Sequence, residues 1–180
     1  MQLYWHIPIW SLPSRREALR YVWRALLLGG VAYAILYFPY PPGSLPVRLL
    51  QGYLNAIAHA SAWGVWLFDR SVVARGDLVE GLFSLRIVLD CAALDAHALF
   101  AAAVLAFPAP WRHRLAGVAA GTLGLAAVNV GRIVVLYLIG IRWPAVFSFM
   151  HEEVLQLAIV LSAFLAFLGW ILWTQRRARA

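Results

Sequence analysis

Three side chains with distinct chemistry stand out in an otherwise apolar chain. Cys91 is the only cysteine, Arg132 lies inside an apolar segment, and His151 stands at the start of another. A thiol is a nucleophile, an imidazole exchanges protons near neutral pH, and a guanidinium stabilises developing negative charge. In one site, these groups would suit nucleophilic attack on a carbonyl. A lone cysteine forms no internal disulfide, so any special role of Cys91 must be chemical.

Arg132 is the hardest of the three to explain as a structural residue. An arginine within an apolar membrane segment costs about 2.5 kcal/mol or more, so it should point into a helix bundle and meet a partner there. We predict that Asn129, one turn earlier, hydrogen-bonds beside it. Helical spacing predicts one packed stripe, which consists of Gly117, Gly121, Gly124, Val128 and Arg132. The alternative is a guanidinium that snorkels to the interface or forms a structural ion pair.

Cys91 is expected at or near the N-terminus of a helix, where the helix dipole favours the thiolate. Asp95 would share its face with Ala98 and Ala102, whose small side chains admit a neighbouring helix. Asp95 is therefore a supporting candidate for the site. The alternative is that Cys91 is a small apolar filler, as lone cysteines in membrane helices often are.

His151 is predicted to begin a helix, with Glu152 and Glu153 directly after it. It would act as general base and acid for the thiol, and Glu152 is a candidate to orient it. The alternative is an interfacial helix start whose acids match the helix dipole. No spacing of histidines and carboxylates indicates a metal site. The remaining histidines are less suited to the site: His6, His59, His97 and His113.

The composition predicts an integral membrane protein of one domain, residues 1–180, in the all-α class. The chain is 63% hydrophobic and only 13% charged, which leaves more apolar surface than a soluble domain of 180 residues can bury. The formal net charge is +7, and all fifteen basic residues are arginines. They stand at the ends of apolar segments, as topology signals do, so nucleic acid is not the expected partner.

The apolar segments predict a polytopic transmembrane helix bundle with about four spans. These cover residues 18–38, 91–107, 115–139 and 150–173. A short basic turn, residues 111–114, should separate the second span from the third.

Residues 46–68 form a further predicted helix, interfacial or re-entrant. Gln51, Asn55 and His59 recur along it every four residues and give it a polar stripe. Residues 69–89 should be an irregular or hairpin-like extramembrane segment with a turn at Gly76.

The topology predicts where the three groups meet. Two spans separate Cys91 from His151, so both lie on the same side of the membrane. Arg132 lies seven residues before the end of its segment, roughly 10 Å below that surface at ~1.5 Å per residue. If residues 46–68 do not cross, the arginine clusters face the cytoplasm and the site faces the periplasm or exterior. Those arginines are Arg15, Arg16, Arg112, Arg114, Arg176, Arg177 and Arg179.

The order of these residues resembles the exosortase/archaeosortase family of membrane cysteine proteases and transpeptidases. The likeness covers about residues 67–156: the cysteine at the start of a span, Phe107-Pro108-Ala109-Pro110-Trp111 at the turn, Asn129-x-x-Arg132, and His151 after a short loop. The chain length and Asp95 soon after the cysteine look most like the small exosortase H subtype. Many bacterial members have Cys-Ser-Gly where this chain has Cys91-Ala92-Ala93.

The resemblance implies a mechanism. Cys91 would be the nucleophile, His151 the proton shuttle, and Arg132 the group that stabilises the oxyanion or positions the substrate. Substrates would be exported proteins with a C-terminal sorting signal: a motif, a transmembrane helix and a basic tail. A thioester would pass to an amine or to water without cofactor or metal, at the bacterial inner membrane. The alternative is a non-enzymatic membrane scaffold in which Arg132 pairs with Glu152 or Glu153. The oligomeric state is left open.

Overall fold

The structure, a computed structural model, describes residues 14–179 and is mainly helical, which confirms the predicted helix bundle. Helix α1, Arg15–Leu36, begins at a capping box in which Ser14 and Glu17 bond each other's backbone amides. None of its residues is buried, and it packs on the third helix near Ala102. The segment before Ser14, including His6, lies outside the described residues.

Helix α2, Leu45–Val65, is amphipathic as predicted. Its buried residues recur at helical spacing: Leu54, Ile57, Ala58, Ser61, Ala62 and Val65. Along the edge of this buried face, Gln51 donates to the side chain of Asn55, and His59 Nδ1 lies 2.8 Å from the Asn55 carbonyl oxygen. The polar stripe therefore satisfies much of its hydrogen bonding within α2.

A small antiparallel sheet follows, where a hairpin-like segment was predicted. Its strands are β1 (Val73–Arg75), β2 (Leu78–Glu80) and β3 (Leu85–Arg86), in that order. Gly76 has φ of 63° in the predicted β1–β2 turn, a conformation that glycine adopts without cost. The third strand was not predicted.

The second predicted span is shorter than expected. Cys91 lies in a 3₁₀ turn, Leu89–Ala92, and after Ala93 in a left-handed conformation helix α3 covers only Leu94–Ala106. Thirteen residues extend about 20 Å, short of a ~30 Å hydrocarbon core. The prolines after Phe107 end α3 as predicted.

Helix α4, Trp111–Arg142, is longer than predicted because the expected basic turn is its first turn. That prediction was wrong: Pro110 precedes the helix, and proline favours the start of a helix. Arg114 then donates to the carbonyls of Leu105 and Ala109, at the end of α3 and just beyond it. The turn predicted to be extramembrane therefore ties two helices together.

The C-terminal segment is helical from Pro144 onward, in several turns of different type. A 3₁₀ turn, Pro144–Val146, leads into the single turn α5, Phe147–Phe149, then a π-helical turn, Met150–Val154, and helix α6, Leu155–Arg179. His151 thus lies inside a helical segment and does not begin it, contrary to the prediction.

Three helical segments of the described chain are long and apolar enough to cross a bilayer: Arg15–Leu36, Trp111–Arg142 and Pro144–Arg177. Helix α3 is apolar but shorter, and α2 is not among the three.

Two hydrophobic cores hold the helices together. The α2 core joins α2, the sheet and the last turns of α4, and the α6 core joins α3, α4 and α6. Cys91 and Ala92 belong to the α2 core, whereas the next residue, Ala93, belongs to the α6 core. The Cys91 turn therefore lies where the two cores meet.

Candidate active site

The thiol and the imidazole meet at this boundary. Cys91 Sγ lies 3.6 Å from His151 Nε2, within hydrogen-bonding distance for sulfur, although sixty residues separate them. The π turn places His151, and π turns inserted in helices occur frequently at functional sites. Phe147 lies against the imidazole with ring centroids 6.0 Å apart and planes inclined by 27°.

The thiol is buried, with 5% of Cys91 exposed. Burial raises the pKa of the Cys91 thiol, while the Val88 backbone and the Arg132 guanidinium act in the opposite direction. Burial thus favours the protonated thiol over the thiolate, and a thiol needs a base to become a nucleophile. Cys91 lies near the N-terminus of α3, as predicted, but in the 3₁₀ turn that precedes the helix, and its burial acts against the predicted thiolate.

Arg132 reaches the same site from α4. It is 7% exposed, and its Nη2 donates to the His151 carbonyl at 3.2 Å and to Gln156 Oε1 at 3.0 Å. Its Nε and Nη1 are buried without a partner. The guanidinium thus anchors the backbone of the imidazole-bearing residue and keeps hydrogen-bonding capacity for a further acceptor.

The ion pair of the scaffold alternative is absent. The salt bridges found in the described chain join Arg75 to Glu80 and Arg86 to Asp77, and neither Glu152 nor Glu153 pairs with Arg132. The alternative predicted a glutamate as the partner of Arg132. The partner is instead the amide side chain of Gln156, which lies one helical turn after Glu152 and faces the guanidinium.

Asn129 is fully buried and supports the cysteine. Its Nδ2 donates to the Cys91 carbonyl at 3.0 Å, so it fixes the backbone of the 3₁₀ turn. The predicted bond beside Arg132 is not made. On α2, Tyr53 donates to the neighbouring Ala92 carbonyl at 3.3 Å, and this contact was missed because an isolated tyrosine carries no sequence signal.

The predicted packed stripe of α4 is only partly right. Gly117 lies against the Trp170 ring and Gly121 against the Phe100 ring, but Gly124 has no neighbour where a Cβ would project and Val128 is 45% exposed. The buried row of α4 instead continues through Leu125, Asn129 and Arg132. An α-helix has 3.6 residues per turn, so one face continues by steps of three or four residues. The prediction stepped three residues from Gly121 to Gly124, whereas the buried face continues four residues on, at Leu125.

Asp95 and Glu152 both reach the site. They line a cavity of about 380 Å³ together with Asp90, Arg132, His151 and Gln156. Asp95 also accepts a hydrogen bond from the Tyr37 hydroxyl at the end of α1, at 3.1 Å. Gln156 was missed, although a lone amide in the apolar run 154–161 is the signal that would have found it.

The other described histidines lie elsewhere, and within the described residues no group of histidine, cysteine and carboxylate side chains is arranged to hold a metal ion. His97 contacts the backbone carbonyls of Ala93 and Thr122, and His113 lies against the Trp173 ring.

A family model described as transmembrane exosortase matches residues 14–169. Neither a curated protein nor a solved structure matches the chain. The family match includes the cysteine turn, the buried arginine and the π turn, and it covers far more than half of the sequence. Together with three helical segments able to cross a bilayer, it shows an integral membrane protein that belongs to the transmembrane exosortase family.

Proposed function

We propose that this exosortase is a cysteine peptidase or transpeptidase with Cys91 as its nucleophile. Its substrates would be exported proteins that end in a sorting signal: a short motif, a transmembrane helix and a basic tail. The observation that supports this most directly is the 3.6 Å approach of Cys91 Sγ to His151 Nε2. A base within reach of a buried, protonated thiol is what nucleophilic catalysis by such a thiol requires.

The reaction starts with proton transfer from Sγ to Nε2 as the sulfur attacks the scissile carbonyl carbon. Arg132 stabilises the negative charge that develops on the carbonyl oxygen, through nitrogens that have no protein partner. The imidazolium then protonates the leaving amine, the C–N bond breaks, and a thioester remains on Cys91. Water or an amine then attacks the thioester carbon as His151 accepts one of its protons, the C–S bond breaks, and the imidazolium returns that proton to the Cys91 sulfur. The scheme uses no metal or cofactor.

Asn129 and Gln156 act as positioning residues in this scheme. The Asn129 amide holds the carbonyl of Cys91, and the Gln156 side chain shares Arg132 Nη2 with the carbonyl of His151. These hydrogen bonds hold the backbone at Cys91 and His151 and the side chain of Arg132 in fixed relative positions before the substrate binds. Less conformational entropy is then lost when the three groups align with the substrate.

The proposed orientation places the site at the outer face of the bacterial inner membrane. Arg132 lies twenty-one residues after Trp111, or about 31 Å along α4, close to one hydrocarbon thickness. The basic start of α4, with Arg112 and Arg114, would then face the cytoplasm. Beyond Arg132, α4 is enclosed by α2 and the sheet, which would lie at or above the outer interface.

The test is processing of an exported protein from the same genome that ends in an apolar helix and an arginine cluster. Cys91→Ala and His151→Ala should each leave the enzyme at normal abundance in the membrane and abolish processing. His59→Ala, an exposed histidine on α2, is the matched control and should process normally. Full processing by Cys91→Ala would exclude the proposed chemistry.

A further inference from the structure

The small sheet has one edge along which no other element packs closely. The edge strand β1 packs against α2, whereas β2 is the only described element that packs extensively along β3, the strand at the opposite edge. Side chains alternate from β3 onward: Leu85 and Ile87 are buried, and Arg86 and Val88 are exposed. The exposed edge of a sheet is a place where a further strand can add.

The register of β2 and β3 shows which backbone groups lie on this edge. The Ile87 amide donates to the Asp77 carbonyl at 2.8 Å, and Arg86 is paired with Leu78. Hydrogen-bonded and non-hydrogen-bonded pairs alternate in an antiparallel ladder, so the Arg86 amide and carbonyl point away from β2. Val88 is still extended, with φ of −104° and ψ of 174°, and points its amide the same way. Within residues 14–179, none of these three groups has a hydrogen-bond partner.

This edge leads directly to the proposed nucleophile. Cys91 lies three residues after Val88, and its amide donates to the Val88 carbonyl at 3.0 Å in the 3₁₀ turn. Asp90, in the same turn, lines the cavity that Arg132 and His151 also line. A strand added beside β3 would therefore end at the cavity that holds the proposed catalytic groups.

The direction of β3 matches the path of a membrane-anchored substrate. The Phe83 amide, just before β3, donates to the Tyr137 hydroxyl of α4, whereas the Cys91 carbonyl accepts from Asn129, eight residues earlier on α4. At ~1.5 Å per residue, the chain thus moves about 12 Å along α4 between Phe83 and Cys91. In the proposed orientation this is the direction from the exterior into the membrane. An exported protein with a C-terminal transmembrane helix passes the site in the same direction.

A substrate of the proposed kind needs such a binding edge. The sulfur can attack only a carbonyl that is not enclosed by helical turns, so the segment around the scissile bond must be extended. The backbone amides and carbonyls of an extended segment lack helical hydrogen bonds and need other partners. Addition to a sheet edge supplies these partners from the main chain, and main-chain pairing accepts many side-chain sequences.

We propose that the free edge of β3, residues 85–88, binds the recognition motif of the sorting signal as an added parallel strand, which places the scissile bond at Cys91. The inference rests on the proposed function and specifies how the substrate is held. Two extended steps of ~3.3 Å and three 3₁₀ steps of ~2 Å separate Arg86 from Cys91, at most about 13 Å. A strand spans this distance in about four residues, so the motif should lie about three to five residues before the scissile bond.

The first experiment maps the pairing without catalysis. Cys91→Ala removes the only cysteine, and one new cysteine is then introduced at the β3 edge, as Arg86→Cys or Val88→Cys. Val73→Cys is the matched control, because this valine is 51% exposed against 44% for Val88 but lies on β1. The probe is the exported substrate with a single cysteine moved residue by residue through the segment before its transmembrane helix. Disulfide formation in membranes under a mild oxidant is measured at each position.

We expect cross-linking to alternate along the substrate, roughly threefold stronger at every second position, because successive side chains of a strand point to opposite faces. The strongest cross-link of Val88→Cys should lie two positions closer to the transmembrane helix than that of Arg86→Cys, as a parallel strand requires. Val73→Cys should give no preferred position. The two edge variants are made separately at exposed sites, so a folding defect in one leaves alternation measurable in the other.

Four results would overturn strand addition: cross-links without alternation, a shift away from the transmembrane helix, equal cross-linking by Val73→Cys, or no cross-link at all. The scan uses a protein without Cys91, so it does not depend on the proposed chemistry. Processing by wild type without alternation in the scan would remove this inference and leave the proposed function. Alternation without processing would do the reverse.

The second experiment tests the main-chain bonds from the substrate side and leaves the enzyme unaltered. Synthetic sorting signals carry one N-methylated amide each, at successive positions of the motif, and processing by wild type is measured as kcat/KM. We expect a roughly three- to tenfold loss at alternate positions, the size of one lost hydrogen bond, and near-normal values at the positions between. Equal losses at neighbouring positions, or no loss at any position, would overturn the pairing.

Discussion

The two cores of this protein are held together by different physical means. In the α2 core, Asp69 is a buried carboxylate that accepts hydrogen bonds from the Leu82 amide, the Ser71 amide and hydroxyl, and the Tyr137 hydroxyl. In the α6 core, glycines of α4 lie directly against aromatic rings of α3 and α6. A glycine of α4 also lies against a ring in the α2 core, at Gly140 and Phe83, so the feature that sets the α2 core apart is its buried, hydrogen-bonded carboxylate.

The difference follows from the proposed surroundings of each core. Within lipid, helices gain little from burying apolar surface against one another, so close van der Waals fit between small residues and rings supplies the attraction. In a segment that water surrounds when it is unfolded, burial of apolar side chains drives packing. A buried carboxylate with all its hydrogen bonds made, such as Asp69, then selects one packing arrangement over others. The site lies between the two, with Cys91 at the edge of one core and α4 running through both.

Among substitutions that test the difference between the two cores, we expect the largest loss of stability in the α6 core. Gly117→Ala would place a methyl group against the Trp170 ring, where a Cβ has no room, and we expect a loss of about 1–3 kcal/mol in the free energy of unfolding. Gly124→Ala is the matched control, since its Cβ meets nothing within 4 Å, and the better helix propensity of alanine should leave stability unchanged or raise it by up to about 1 kcal/mol. The free energy of unfolding of both variants is measured in detergent. Equal changes in Gly117→Ala and Gly124→Ala would show that close packing of Gly117 against the Trp170 ring does not stabilise the α6 core.

The next effect is in the α2 core. Tyr137→Phe removes the hydroxyl 2.6 Å from Asp69 Oδ2 and leaves a buried carboxylate with one donor fewer. We expect a loss of about 1–2 kcal/mol in the free energy of unfolding. Tyr33→Phe removes the same atom from an exposed residue of α1 and should change stability by less than about 0.5 kcal/mol. Similar losses in the two variants would mean that the α2 core does not depend on its polar centre.

A smaller effect should appear with pH. The Leu82 amide, followed by the Ser71 and Tyr137 hydroxyls, holds the pKa of Asp69 well below its ordinary value of 3.8. A carboxyl group with a lowered pKa in the folded state stabilises the fold above its unfolded pKa, and this contribution is lost as the pH falls toward the folded value. The stability difference between wild type and Asp69→Asn should therefore be largest above about pH 5 and shrink below about pH 4. A difference that does not vary with pH would contradict this role.

The smallest expected effect concerns whether packing in the α2 core helps to position His151 at the site. Phe83 lies against Gly140 and 5.3 Å, centroid to centroid, from Phe147, which in turn lies against His151. Phe83→Leu should lower the rate of Cys91 alkylation at neutral pH by about threefold, because a less well-placed imidazole accepts the thiol proton less readily. Phe68→Leu, at an exposed position, is the control. An unchanged rate at normal stability would show that His151 is positioned without the sheet.

Much of the fold could be predicted because its signals are local. Apolar runs longer than eighteen residues predicted the long helices, the four-residue recurrence of Gln51, Asn55 and His59 predicted the polar side of α2, and Gly76 predicted the hairpin turn. The errors occurred where local patterns compete. The basic residues after Pro110 could form a turn or begin a helix, and packing of the first turn of α4 against α3 and Trp170 favours the helix.

The sequence by itself determined the class of protein and the chemical groups on which the proposal rests: one thiol, one arginine within an apolar segment and one histidine beside acids, spaced so that they reach the same face of the bundle. Only the tertiary structure decided their partners. The π turn aims His151 at the sulfur, Gln156 takes the place expected for a glutamate, Asn129 holds the Cys91 carbonyl, and three carboxylates gather around one cavity. The reason is physical: helix periodicity is encoded within a few residues, whereas hydrogen bonds between helices depend on the rotation and depth of each helix, which the packing of both cores sets together.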